Sequence, residues 1–133
     1  MSTSKEKLSI LSEMIAFARV DNRLMQSEYD FLFNVAQHLE VGKKEFDNLF
    51  QKKVEHVIPK SQADRLVQFN RLILLMNVDN NNNLTEIRRL HDIGLGMGLP
   101  PSAIDQVLSI MHEYPDKIVP PHVIIKIFKA HYN

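Results

Sequence analysis

The chain contains no cysteine, only four glycines and no excess of either charge. Without cysteine it cannot form a disulfide, a thiolate zinc site or an iron–sulfur cluster, and it has no cysteine nucleophile. Sixteen basic residues balance sixteen acidic residues, so no surplus of positive charge is available to neutralise the phosphates of a nucleic acid. We therefore expect a protein that does not bind nucleic acid.

Long hydrophobic runs are also missing. No stretch approaches the ~18 consecutive apolar residues of a membrane-spanning helix, and the first residues lack the apolar core of a signal peptide. The basic residues near the end, such as Lys126 and Lys129, are too few for a polybasic membrane signal, although a peripheral membrane-associated complex stays open. We expect a cytoplasmic protein without stable membrane insertion. Its 133 residues are the size of one domain.

Apolar residues at i, i+3 and i+4 spacing predict seven helices with short polar connections and no strand. Ser61 with Asp64 is a capping signature for the fourth helix, and Ser27 is the expected cap of the second. Gly42 is expected to end that second helix. Pro120 and Pro121 predict the start of a C-terminal helix over about 120–131.

The first three helices and the next three are predicted to be copies. Residues 8–50 align with residues 66–108 at a constant offset of 58, without a gap. The eight identities are Leu8/Leu66, Ile15/Ile73, Val20/Val78, Asp21/Asp79, Asn22/Asn80, Glu28/Glu86, Leu32/Leu90 and Asp47/Asp105. We therefore predict an all-α, single seven-helix domain over 1–133, in which two pseudo-twofold three-helix repeats share one core and a C-terminal helix follows.

The identities concentrate in the loop between the first and second helix of each repeat. Each loop begins at an Asp and is followed, seven residues later, by a Glu in the first turn of the next helix. Oxygen ligands of this kind suit calcium or magnesium. The candidate metal ligands are Asp21, Glu28, Asp79, Asn81, Asn83 and Glu86.

These loops are not EF-hands, and a purely structural interpretation is open beside the cation. Counted from Asp79, Leu84 stands where an EF-hand has Gly, and Leu90 stands where it has the bidentate Glu. In the structural interpretation, the Asp and Asn side chains form turns, and Glu28 and Glu86 favour helix N-termini by their charge.

The pattern at these loops begins with an apolar helix that ends in Asp. A turn residue follows, then an aliphatic residue two places on, and then a Glu in the next helix. This pattern resembles the repeated signature of the TerB-like domains. This is the tellurite-resistance group, related to the N-terminal region of some DnaJ-type cochaperones. The matching stretches are residues 20–24 with Glu28 and residues 78–80 with Glu86, with Asn22 and Asn80 where the family usually has Gly. The resemblance implies a seven-helix fold over almost the whole chain and a charged or metal-associated patch at the paired acidic positions.

No motif predicts catalysis. The six histidines form no His-x-x-x-His pair, which argues against zinc or iron. Gly94, Gly96 and Gly98 have no preceding strand and no following Lys-Ser/Thr, so we expect them to allow close approach between helices rather than to bind phosphate.

We therefore predict a non-enzymatic module that binds another protein, with weak binding of calcium or magnesium at the two loops. A role in stress response is implied by the resemblance alone. A calcium- or magnesium-responsive sensor is the alternative function, and a metal-assisted hydrolase is a weaker one.

Overall fold

Helices account for all the regular secondary structure in the described part of the chain. The computed structural model describes residues 4–19, 24–78 and 84–131, and these ranges contain seven α-helices, two short 3-10 helices and no strand. The predicted all-α class with seven helices is therefore confirmed. The α-helices are α1 Ser4–Ala18, α2 Gln26–His38, α3 Lys43–Asn48, α4 Gln62–Asn77, α5 Leu84–Gly96, α6 Pro101–Ile110 and α7 Pro121–Ala130.

The chain divides into two compact units, Met1–Lys60 and Ser61–Asn133. In the first unit α2 packs against both α1 and α3. The apolar side of each helix is buried, with Leu11, Leu32 and Phe46 fully enclosed. The helices of the first unit pack together because each one has an apolar face, and burying that face away from water is favourable.

The second unit, Ser61–Asn133, contains α4 to α7 and both 3-10 helices. Helix α5 packs against α4 and α6, and α6 packs against α7. Helix α4 begins as predicted, because the Ser61 hydroxyl accepts a hydrogen bond of 3.1 Å from the Asp64 amide. Helix α7 begins at Pro121, where a missing N–H has no cost.

The third helix of the first unit and the third helix of the second begin 58 residues apart, α3 at Lys43 and α6 at Pro101. Burial follows the same offset at several core pairs, such as Leu32 and Leu90, both of which are fully buried. These observations agree with the repeat, whereas superposition of the two units and a core common to both stay predictions.

Helices α2 and α5 end in the same type of turn. The Val41 amide donates to the Ala36 carbonyl over 2.9 Å, and the Leu99 amide donates to the Gly94 carbonyl over 3.0 Å. The residue before each donor is left-handed, with φ of 62° at Glu40 and 79° at Gly98. This is the Schellman termination of a helix.

Two sequence predictions about helix ends are wrong. Ser27 is not a cap, because α2 already begins at Gln26 with Met25 as its N-cap. Gly42 does not end α2; it is the N-cap of α3 with an ordinary φ of −69°. The left-handed residue that ends α2 is Glu40, a type that the sequence pattern does not mark for this role.

Candidate functional site

Glu28, one of the predicted metal ligands, acts as a helix cap. It is the third residue of α2 and is buried. Its Oε1 accepts a hydrogen bond of 2.9 Å from the backbone amide of Met25, the N-cap residue. A carboxylate in this place satisfies an amide that has no partner inside the helix and lies at the positive end of the helix dipole. The structural interpretation of the loop expected a favourable charge at this helix N-terminus, and the hydrogen bond to Met25 is a contact that it did not name.

Glu86 occupies the equivalent place in the second unit. It is the third residue of α5 and is buried, as Glu28 is. The other four predicted metal ligands, Asp21, Asp79, Asn81 and Asn83, lie outside the described residues. Within residues 4–19, 24–78 and 84–131, no group of three or more His, Asp or Glu side chains could hold a metal ion. The cation site therefore stays a prediction.

A hydrogen-bonded cluster fastens α2 to α3. The hydroxyl of Tyr29 donates to Asp47 Oδ1 over 2.6 Å, and Lys43 Nζ donates to Asp47 Oδ2 over 2.7 Å. The bond from Lys43, followed by the bond from Tyr29, holds the pKa of the Asp47 carboxyl below its ordinary value. The bond to Asp47 also raises the pKa of Tyr29 and of Lys43.

Asp105, which the predicted repeat aligns with Asp47, makes a similar connection in the second unit. Its Oδ1 lies 3.0 Å from Nε2 of His91 on α5. The partner differs between the two units, but in both an Asp of the third helix contacts the second helix.

The structure also places a serine beside a histidine. His131 Nδ1 lies 2.8 Å from Ser102 Oγ, and His131 Nε2 lies 3.0 Å from Gln106 Oε1. The serine hydroxyl can donate or accept, so the direction of its bond with His131 depends on the tautomer of the imidazole. The sequence analysis missed this contact because the histidine lies 29 residues from the serine.

A serine, a histidine and an amide side chain in sequence resemble the nucleophile, base and orienting group of a hydrolase, but their surroundings do not resemble a hydrolase site. Ser102 and Gln106 are exposed, and neither lines a cavity described below. Acyl transfer also needs donors aimed at the developing oxyanion and a site that excludes water. We interpret the contact as a connection between the end of α7 and α6.

An open groove runs between α4 and α7 in the second unit. Its volume is about 330 Å³. The lining residues come from these two helices alone: Gln62, Ala63, Leu66, Val67 and Asn70 of α4, and Pro121, Ile124, Ile125 and Lys129 of α7. Phe69 and Phe128, both fully buried, hold the two helices together with ring centroids 5.9 Å apart.

Large apolar side chains in this groove are open to solvent. Val67 is 47% exposed and Ile125 is 44% exposed. Both lie on the outer sides of helices whose inner sides are already buried in the unit. Together these side chains give the groove an apolar lining that is open to solvent. Sequence analysis missed the groove, although these two apolar residues outside the buried stripes were a usable signal.

Another cavity lies in the first unit, and its lining does not point to a ligand. Its lining includes Leu8 of α1, Gly42 before α3 and Lys52 after α3. Its lining mixes polar and apolar groups without any converging set of chemically reactive side chains. It therefore supports no particular ligand.

Among the described residues, no helix combines the length and the apolar content that crossing a bilayer requires. Comparison of the chain with protein-family models, with curated proteins and with solved structures finds no match. The resemblance to TerB-like domains therefore rests on the two duplicated loop motifs, and it stays a prediction.

Proposed function

We propose that this chain is a non-enzymatic helical module that binds another protein through the groove between α4 and α7. The observation that carries the proposal is the exposed apolar lining of that groove, with Val67 and Ile125 close to half exposed. The occupant is a helix of the partner, because a trough between two helices accepts the apolar side of a third helix. Stress response and a cytoplasmic location are parts of this proposal that rest on sequence alone.

The chemistry of the groove supports binding rather than turnover. Lys129 is the single ionisable residue in its lining. General acid–base catalysis needs a positioned proton donor or acceptor, and nucleophilic catalysis needs a nucleophile paired with a base. The polar residues Gln62 and Asn70 supply neither, whereas the apolar side chains offer surface that gains free energy when a partner covers it.

The test compares two variants that differ only in the place of the new charge. Val67→Asp puts a carboxylate in the groove, and Ile118→Asp puts one at a residue of similar exposure, 45%, that does not line the groove. Both variants and the unaltered chain are used to capture proteins from the native source, and the bound proteins are quantified. We expect one protein or more to be lost with Val67→Asp and retained with Ile118→Asp.

Thermal melts of both variants control for folding. Because both substitutions are at exposed positions, we expect small changes in melting temperature. If Val67→Asp captures the same proteins as the unaltered chain, in the same amounts, the groove is not the binding surface.

The second candidate function is a response to calcium or magnesium at the two acidic loops. It rests on the Asp and Glu that both loops share in the sequence, and the hydrogen bond from the Met25 amide to Glu28 is the competing structural explanation. Calorimetric titration separates it from a pure binding module, since a sensor should take up two equivalents of calcium. If no heat of binding is measured up to millimolar calcium, the sensor function is excluded.

Mutation of the same two residues separates a cation from a helix cap. The double variant Glu28→Gln/Glu86→Gln keeps volume and an acceptor oxygen but removes charge. A structural role should cost only about 0.3–1 kcal/mol for each helix terminus. If the loops bind a cation, the double variant should also lose metal-dependent thermal stabilisation. We expect the larger cation effect at the loop of Asp79, which is rich in Asn, than at the loop of Asp21, where Arg23 opposes a cation.

A further inference from the structure

One methionine of the first unit differs from the others in its exposure. Met25 is 48% exposed, whereas the remaining methionines of residues 4–19, 24–78 and 84–131 are at most 6% exposed: Met14, Met76, Met97 and Met111. A peroxide oxidises a thioether only where it can reach the sulfur, so close packing protects the buried methionines. Among the described residues, the fold therefore leaves Met25 as the methionine that an oxidant in solution can reach.

Met25 also stands at the start of a helix. It is the N-cap of α2, with an extended backbone of φ −78° and ψ 154°. Residues preferred at this position carry a side-chain oxygen that accepts a hydrogen bond from an amide of the first turn. In a capping box that amide belongs to the third helical residue, here Glu28, whose carboxylate in return accepts from the Met25 amide over 2.9 Å.

The other half of this capping box depends on sulfur. The Met25 side chain occupies the accepting place opposite the Glu28 amide, but it makes no regular cap hydrogen bond. A thioether sulfur is a weak acceptor, and an oxygen bonded to it would be a strong one at the positive end of the helix dipole. We propose that Met25 is a site of modification by hydrogen peroxide, and that the oxygen of its sulfoxide caps α2.

The reaction is a two-electron oxidation of the sulfur. A lone pair of the Met25 sulfur attacks one oxygen of hydrogen peroxide, so that an S–O bond forms and the O–O bond breaks. The departing hydroxide takes the proton of the transferred oxygen and leaves as water. The thioether is thereby oxidised to a sulfoxide, and the peroxide is reduced.

The position of the methionine decides the sign of the effect on stability. Oxidation of a buried methionine puts a polar oxygen into the core and destabilises the fold. Oxidation of Met25 puts the oxygen at an exposed helix terminus, where backbone amides are the neighbouring donors. We therefore expect this modification to stabilise the protein.

The first experiment measures which methionines react. The full chain is treated with hydrogen peroxide while folded, and the sulfoxide at each methionine is followed over time by peptide mass spectrometry. We expect Met25 to react about tenfold faster than Met97, which is 3% exposed. In urea, where the chain is unfolded, the two should react at similar rates. Similar rates in the folded chain would overturn the site.

The second experiment measures the cap through the melting temperature. We expect the chain oxidised at Met25 to melt about 1–4 °C higher than the untreated chain. Met25→Leu is the matched control, because it removes this sulfur, keeps a similar apolar volume and retains every other methionine. Peroxide should leave its melting temperature unchanged. Met25→Asn supplies a preferred capping residue, so it should melt higher than the unaltered chain before treatment and gain nothing from peroxide.

Three results would overturn the cap. The first is selective oxidation of Met25 with an unchanged or lowered melting temperature. The second is an equal rise in Met25→Leu, which would place the effect at another residue. The third is a Met25→Asn variant that melts no higher than the unaltered chain, since a side-chain oxygen at this position would then not stabilise α2. These measurements do not involve the groove between α4 and α7, so they leave the proposed function to its own test.

Discussion

Gly94 on α5 lies where a larger residue would not fit. A Cβ atom added there would be 2.7 Å from Ile104 Cδ1 and 3.2 Å from Phe69 Cε1. Carbon atoms that are not bonded prefer a separation of about 3.5–4.0 Å. Cδ1 is the end of the Ile104 side chain, and Ile104 and Phe69 are both fully buried, so the shift that an added methyl requires must take place inside a closely packed core. We predict that Gly94→Ala destabilises the protein.

The magnitude follows from two opposing contributions. Forcing an extra methyl into a well-packed core costs about 1–3 kcal/mol. Replacing Gly by Ala inside a helix returns about 0.5–1 kcal/mol, because Ala loses less backbone entropy on folding. The net loss should lie between about 0 and 2.5 kcal/mol. Gly96 is the matched control, since a Cβ atom added there meets nothing within 4 Å. Gly96→Ala should therefore be neutral or should stabilise the protein by up to about 1 kcal/mol.

Urea unfolding of the two variants and the unaltered chain measures these free energies, and a third substitution identifies the clashing atom. Ile104→Val removes Cδ1 and alone should cost about 0.5–1.5 kcal/mol. In the Gly94→Ala background it should cost less, or should stabilise, because it also relieves the 2.7 Å contact. If Gly94→Ala is at least as stable as Gly96→Ala, or if Ile104→Val costs the same in both backgrounds, the close approach is not what requires glycine.

Three further predictions concern the core, a helix end and a surface cluster. Leu32→Ala and Leu90→Ala should each cost about 2–5 kcal/mol in urea unfolding, because both side chains are fully buried; a loss below about 1 kcal/mol at both would contradict that burial. Glu40→Gly should stabilise by about 0.5–1 kcal/mol, because it relieves the left-handed φ of 62°, and any loss of stability would contradict the reasoning. Asp47→Asn should lower the melting temperature at pH 7 because the carboxylate accepts from Lys43. Since the folded pKa of Asp47 is depressed, this stability is present above the ordinary value of 3.8 and is lost as the pH falls through the folded pKa. A difference that does not shrink below about pH 4 would refute the assignment.

Local signals account for what could be predicted about the helices. The Ser61 cap and the start of α7 at Pro121 were predictable because each depends on residues within one turn of the helix terminus. The end of α2 was not, because Glu40 takes a left-handed conformation more typical of glycine. In that turn the amide of Val41 reaches the carbonyl of Ala36, a pattern that stabilises the conformation whatever the residue type.

Some candidate sites could likewise be predicted from the sequence, and others depend on how the helices pack. The loop carboxylates Glu28 and Glu86 were found from the sequence, because duplication at a constant offset is visible without any structure. The cap that Glu28 forms was within reach of sequence reasoning, since it involves Met25 only three residues away. By contrast, the contact between Ser102 and His131 depends on how α6 and α7 pack.

The amino-acid sequence by itself determined the all-α class and the register of the buried helical faces, because both follow from the spacing of apolar residues along a helix. Only the tertiary structure decided which apolar residues stay exposed and what they form together. Val67 and Ile125 are 58 positions apart in the sequence, and they line one groove because α4 and α7 pack through Phe69 and Phe128. Packing between helices that are distant in the sequence depends on the shapes of many side chains at once. The periodicity of apolar residues within one helix does not predict which other helix it packs against.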